Sequence, residues 1–362
     1  MSESTSNQNT TTIARKNPGD LADLRVDNQP SHADLLSPHN PWPHRLAVLL
    51  VVMTFPLIWV GGLVTSYKAG MAVYDWPNTF GYNMLLFPIA RWLRGSFDLF
   101  IEHGHRLLAT LVGCLSIALV FVTYRGETRT WVKRFSLLIL ALVIGQGVLG
   151  GLRVLVDQQQ LALIHGCVAN LFFACTVAMA VVTSVYWRRP ATTTEQRTSG
   201  GLCRLAWTTC LIAYAQIVIG AHVRHVSVTT SAGSFQAAVF FHLIMAAILT
   251  LLIFSLSGQI VVRHYGLPRL RRPSLILLAL VFVQVALGGA SWVLKYSWPE
   301  FMSQYQFAAM HTVTAQGFLQ GVVVTAHVAT GSLIFVFSLI VSLRTTRLMQ
   351  PSPSTSIVGA VA

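Results

Sequence analysis

Charge is what this sequence has least of. Asp, Glu, Lys and Arg together make up 10% of its 362 residues, where a soluble domain carries about 25%. With 54% hydrophobic residues and a mean hydropathy of +0.60, that scarcity excludes an ordinary soluble domain and describes a polytopic membrane protein. Cysteine is scarce too. Cys114, Cys167, Cys175, Cys203 and Cys210 all lie in or beside apolar runs, and none is spaced C-x-x-C. Neither a disulfide framework nor a zinc site is indicated. An apolar stretch near the start is also missing. Residues 1–41 are rich in Ser, Asn, Thr, Asp and Pro, which predicts a disordered tail and not a signal peptide. The net charge of +13 does not announce a nucleic-acid partner. Its Lys and Arg fall in short clusters between apolar runs, as orientation signals do.

What is present is a series of eight apolar runs, each near the ~20 residues that cross a bilayer. They cover 46–64, 101–124, 135–156, 161–186, 205–223, 238–262, 275–294 and 322–343. Pro56 is expected to kink the first. Only Asp157 and three glutamines separate the third from the fourth. The prediction is an all-α membrane protein of eight transmembrane helices. Lys and Arg concentrate in the tail, the 125–134, 188–204 and 263–272 loops and the C-terminus. The positive-inside rule then places both termini in the cytoplasm. Two long connections, 65–100 and 295–321, fall on the outer side. Both carry aromatics and are expected to roof a cavity that opens outward.

The runs repeat a pattern. Runs two, four, six and eight each carry a His near their outer end, followed four residues later by a small residue: His105 and Ala109, His165 and Ala169, His242 and Ala246, His327 and Gly331. Residues four apart share a helix face, so a flat ligand held by the imidazole meets a small neighbour. Runs three, five and seven share Gln-x-x-x-Gly: Gln146 to Gly150, Gln216 to Gly220, Gln284 to Gly288. Run one has Gly61-Gly62 without the Gln. A glycine helix followed by a histidine helix, used four times, gives two four-helix bundles in parallel repeat. The halves are expected at 45–190 and 202–345, with a C-terminal tail at 346–362.

One His at a membrane interface sits comfortably there without binding anything. Four at one depth, one per unit, point to paired imidazoles gripping haem iron between facing helices. The spacing predicts His105 with His165 and His242 with His327, and leaves crossed pairing open. Glu102 lies three residues before His105, on the same face. The matching positions before the other histidines are Ala162, Val239 and Val324. A carboxylate in a first helical turn also suits the helix dipole, so either role is open for Glu102. Arg106, Arg153 and Arg224 lie near the sites, placed either to pair a haem propionate or to snorkel at the interface. His103 reads as structural, and His222, His225 and His311 read as surface or loop polar groups, with a supporting role open.

These residues resemble the haem A synthase family. The resemblance rests on Glu102-x-x-His105-Arg106, on the histidines of every second helix, on Asp75-Trp76-Pro77, and on Gly220-Ala221-His222-Val223-Arg224. It covers roughly residues 45–345. It implies a membrane oxidoreductase that converts a methyl group of haem O to the formyl group of haem A for a terminal oxidase. It implies that Glu102 is catalytic and that His105 and His165 flank the substrate haem. It implies that His242 and His327 ligate a resident haem B. The charge pattern puts the sites toward the outer side of the cell membrane, with membrane lipid as surroundings; the electron donor or acceptor, and whether a haem O-producing enzyme docks here, stay open. Many relatives carry a cysteine pair around Asp-Trp-Pro. Here those places are Val73 and Thr79, as in a class that lacks the pair. Thr65 stands where the family often has Arg. The alternative reading is a di-haem b-type electron carrier without substrate chemistry; a transporter with histidine proton relays is a third.

Overall fold

A computed structural model describes residues 40–188, 200–226, 229–296 and 317–349. The tails, His311 and most of the second long outer connection lie outside the described residues. Among the described residues there are eight long helices: α1 Trp42–Ser66, α2 Phe97–Gly126, α3 Thr130–Val156, α4 Gln159–Thr183, α5 Gly200–Arg224, α6 Ala232–Arg263, α7 Pro268–Tyr296 and α8 Phe318–Met349. All eight are long and apolar enough to cross a membrane, and α1 runs through Pro56. The chain is a multi-pass membrane protein. Outward-facing Leu111, Ile117, Phe240, Leu251 and Phe282 are exposed, as lipid-facing side chains of such a protein are.

The helices begin earlier than their apolar runs. Polar caps explain two of these extensions. Ser96 accepts a hydrogen bond from the Leu99 amide and starts α2. Ser231 accepts one from Ser234 and starts α6. A cap hydroxyl satisfies an amide that the first turn leaves without a partner. Glu102 and His105 consequently stand in the second and third turns of α2, inside the helix.

Packing closes two rings. In the first, α1 touches α2, α2 touches α3, α3 touches α4 and α4 returns to α1; α5 to α8 follow the same order. The rings meet where α8 lies against α1 and α4. Of the eight spans, α4 and α8 have the largest buried shares, 61% and 44%, which makes them the central pair of the molecule.

Each ring is solid at one end. Leu50, Leu119, Val132, Ile139, Phe172 and Met179 fill the first; Leu202, Leu256, Ile260, Leu270, Leu277 and Val341 belong to the core of the second. These residues come from the starts of the odd helices and the far ends of the even ones. The histidines lie at the other end, where the rings are hollow.

The connection between α1 and α2 folds back over that hollow end. It contains a short antiparallel pairing, Asn78–Thr79 with Tyr82–Asn83, and a short helix at Ile89–Leu93. The turn needs left-handed backbone at Phe80 (φ 51°) and Gly81 (φ 78°). The Asp75 carboxylate holds it by accepting the Phe80 amide (2.9 Å) and the Gly81 amide (2.8 Å).

Candidate functional site

The four histidines of the even helices meet in two pairs. The rings of His105 and His165 have centroids 6.5 Å apart at 76°, and those of His242 and His327 lie 6.4 Å apart at 65°. A metal–imidazole bond is about 2 Å and a ring nitrogen lies roughly 1 Å from its centroid, so two imidazoles on opposite sides of one metal have centroids about 6 Å apart. Both pairs fit that requirement. Among the described residues no group of three or more His, Cys, Asp or Glu forms a metal cage. A metal held here would take its remaining ligands from a flat group such as a porphyrin.

Glycine makes the approach possible. A Cβ on Gly61 would sit 2.8 Å from Cε1 of His105. On Gly150 it would be 3.3 Å from His165, on Gly220 3.1 Å from His242, and on Gly288 3.2 Å from His327. Each imidazole therefore rests on bare backbone of the preceding odd helix, closer than a methyl allows without displacement. The small residues one turn beyond the histidines do what their spacing predicts: Ala109, Ala169, Ala246 and Gly331 all line one cavity with the four rings. Its volume is about 1770 Å³, above the roughly 300–1,000 Å³ of an ordinary one-ligand pocket.

The charged lining is lopsided. Arg106, Arg153, Arg224 and Lys295 reach the wall, and among the described residues Glu102 is its one acid. Glu102 is 3% exposed. Its Oε2 accepts the Val73 amide at 2.8 Å, and its Oε1 accepts from Arg106 Nη2 at 2.9 Å. Arg106 also donates to the carbonyls of Val73 (2.8 Å), Asp75 (2.8 Å) and Asn78 (2.9 Å). The expectation that Arg106 stands ready for a propionate does not describe it. Its guanidinium is occupied in binding the outer connection to α2.

The neighbouring residue has the same task. His103 is fully buried, and its Nδ1 lies 3.2 Å from the Thr79 hydroxyl. Phe87 and Trp92 pack on its ring. Val73 and Thr79, the places of the family's cysteine pair, are both completely buried and both bonded to α2. Trp76 lies flat on α3, where a Cβ on Gly151 would run into its ring, and the Arg153 guanidinium fills the space beside Gly70. Trp76, Pro77 and Met84 thus close part of the cavity from above.

Outside the membrane-spanning helices, burial pushes the Asp75 carboxyl up. The Gly81 and Phe80 amides and the Arg106 charge outweigh it and hold the carboxyl below its ordinary value.

Arg224 ties the rings together. From the end of α5 its Nη2 donates to the Gly62 carbonyl (2.8 Å) and the Ser66 hydroxyl (2.7 Å) of α1. Thr65, where relatives often have Arg, turns its hydroxyl back to the Gly61 carbonyl. His222 is exposed. His225 is half-buried on the cavity wall, with Nδ1 2.9 Å from the Ala221 carbonyl.

Eight helices able to cross a membrane, around two imidazole pairs at a metal-spanning distance, define a class, the polytopic membrane protein with paired histidines. More particularly, the chain belongs to the COX15-CtaA family, described as cytochrome oxidase assembly protein, which matches residues 44–323. Over 181 residues it is 30% identical to the heme A synthase of Symbiobacterium thermophilum (strain DSM 24528 / JCM 14929 / IAM 14863 / T). That similarity takes in 48% of this chain and 56% of the relative, so it spans about half of that protein's length.

Proposed function

We propose that this chain is a haem A synthase, oxidising a methyl group of haem O to the formyl group of haem A within the membrane. One observation carries the reading: two closely matching imidazole pairs share a cavity, and the cavity's one acid among the described residues, Glu102, stands one turn from His105. Equivalent electron-transfer sites have no need of that asymmetry. Family membership and the name of the relative support the same activity.

In this reading His105 and His165 hold the substrate, haem O, and His242 and His327 hold a resident haem B. When bound, haem B supplies a redox iron that relays electrons between the substrate and a partner outside the chain. The residues of the chain do the rest. Converting a methyl to a formyl group with water as the oxygen source removes four electrons and releases four protons, and Glu102 is placed to take up a proton at a carboxylate oxygen. The Val73 amide and Arg106 hold that carboxylate in a fixed position, so it needs little reorganisation. Trp76 and Pro77 limit access of water from the outer side. Arg153 and Arg224 line the cavity and would offer positive charge to the propionates of a bound porphyrin.

The excess of Lys and Arg at the solid ends of the rings supports a cytoplasmic location for both termini, in the cell membrane, with the sites toward the outer side. Haem O then arrives through the lipid from a haem O-producing enzyme.

The test is co-expression with a haem O source, purification, and mass analysis of the extracted pigments. Haem A together with haem B is the expected result. Haem B alone, in protein supplied with haem O, favours the electron carrier and overturns the synthase. Colourless protein overturns both.

A further inference from the structure

The four helix pairs share the glycine beneath the imidazole, but they differ one turn earlier. Gln146 precedes Gly150, Gln216 precedes Gly220 and Gln284 precedes Gly288, whereas Leu57 precedes Gly61. Each glutamine reaches the histidine of its own pair. The Gln146 carboxamide lies 2.9 Å from His165 Nδ1. Gln216 Nε2 lies 3.1 Å from His242 Nδ1 and also donates to the His242 carbonyl at 3.0 Å. Gln284 Nε2 lies 3.3 Å from Nε2 of His327, whose Nδ1 has no partner.

The carboxamide oxygens of Gln216 and Gln284 are buried without a partner. Turning the Gln284 amide over brings its oxygen to the imidazole edge, where it accepts a ring N–H; Gln216 keeps its nitrogen toward the ring, because the same turn would set its oxygen against the His242 carbonyl. His105 has no such neighbour. Its Nδ1 is buried and unpartnered, with the Leu57 backbone near it but outside hydrogen-bond geometry.

A hydrogen bond to one imidazole nitrogen fixes the ring's plane and tautomer and so prepares the other nitrogen for a metal. We propose that Gln146, Gln216 and Gln284 are positioning residues that hold three of the four imidazoles for haem ligation, and that Leu57 leaves His105 deliberately less held. The C-terminal site then has two supported ligands and retains its haem. The N-terminal site has one supported ligand and one loose ligand, and its haem exchanges. The inference rests on the functional reading above, since it distinguishes a resident haem from a substrate that must enter and leave. It adds the side chains that set that difference.

The experiment follows haem leaving the purified, haem-loaded full-length protein for excess apomyoglobin. Wild-type protein should release haem in two phases, the fast one from the N-terminal site. Loss of a supporting hydrogen bond typically weakens metal binding by about 10–100-fold. Gln216→Leu should therefore speed the slow phase by at least about tenfold, and Gln216→Glu, which loses the nitrogen that meets the His242 ring and carbonyl, should not restore it. Leu57→Gln should slow the fast phase and raise the share of six-coordinate, low-spin haem in the absorption spectrum. That second variant changes a cavity-lining residue and leaves the C-terminal site intact, so it reads the proposal even if Gln216→Leu fails to fold. A release profile and spin state unchanged by Leu57→Gln overturn the role given to this position while leaving the synthase reading in place. Protein that takes up no haem in either half overturns both.

Discussion

At the scale of single residues, the proposed function turns on Glu102 and on four glycines. Glu102 accepts a hydrogen bond at each oxygen, one from Arg106 and one from the Val73 amide. A glutamine there keeps the size and one acceptor but cannot take up a proton. Glu102→Gln should retain both haems and lower haem A formation by about 10²–10⁴-fold, the usual contribution of a positioned acid or base. Chromatography of extracted pigment measures this, and haem A at the wild-type rate would remove Glu102 from the chemistry. The glycines give a graded comparison. Gly61→Ala places a methyl 2.8 Å from His105, so the ring must move and haem content in the N-terminal site should fall. Gly258→Ala, on α6 outside the cavity lining and with nothing within 4 Å of the new Cβ, should leave pigment unchanged and stabilise the helix by about 1 kcal/mol. Equal haem contents in the two variants would contradict the role assigned to close packing.

At the scale of elements, the outer connection and the start of α2 act as one unit. Arg106 and Glu102 bind its backbone, Thr79 meets His103, and Trp76 lies on α3. Thr79→Val removes the hydroxyl with little change in shape. It should lower the protection of amides 73–83 by about 1 kcal/mol, the net value of one hydrogen bond, as read by hydrogen exchange. Acid should loosen the same segment. Folding holds the Asp75 carboxyl below its ordinary value. Its contribution is therefore complete above about pH 3.9 and is lost as pH falls through the lower folded-state value. Asp75→Asn should remove that acid-dependent step in the rate of proteolysis between α1 and α2. A step of unchanged size would assign it to another group.

These contacts also mark the limit of what the sequence made legible. The eight spans and the glycine–histidine pairs were readable because apolar length and a four-residue period are written in side chains. The binding of the connection to α2 was not, because Arg106 and Glu102 find mostly backbone carbonyls and an amide, which leave no mark in the sequence. For the same reason Arg106 looked available for a propionate. His103 looked incidental because its partner, Thr79, arrives from a segment 24 residues away. The early start of α2 was missed because its cap, Ser96, lies outside the apolar run that set the expected boundary.

At the scale of the whole molecule, two rings of helices are packed solid at one end and hollow at the other. Solid packing fixes the helix spacing, and the fixed spacing holds the histidine pairs at 6.5 and 6.4 Å. Arg224 and the α4–α8 seam join the rings, and both pairs open into one cavity. Loading each half independently tests the division of labour most directly. Protein carrying His242→Ala, and separately His165→Ala, is purified after growth with a haem O source, and its haems are identified by mass. The account predicts that His242→Ala loses haem B and keeps the substrate haem, while His165→Ala keeps haem B and loses haem O and haem A. The opposite pattern, or full retention of both haems by both variants, contradicts it.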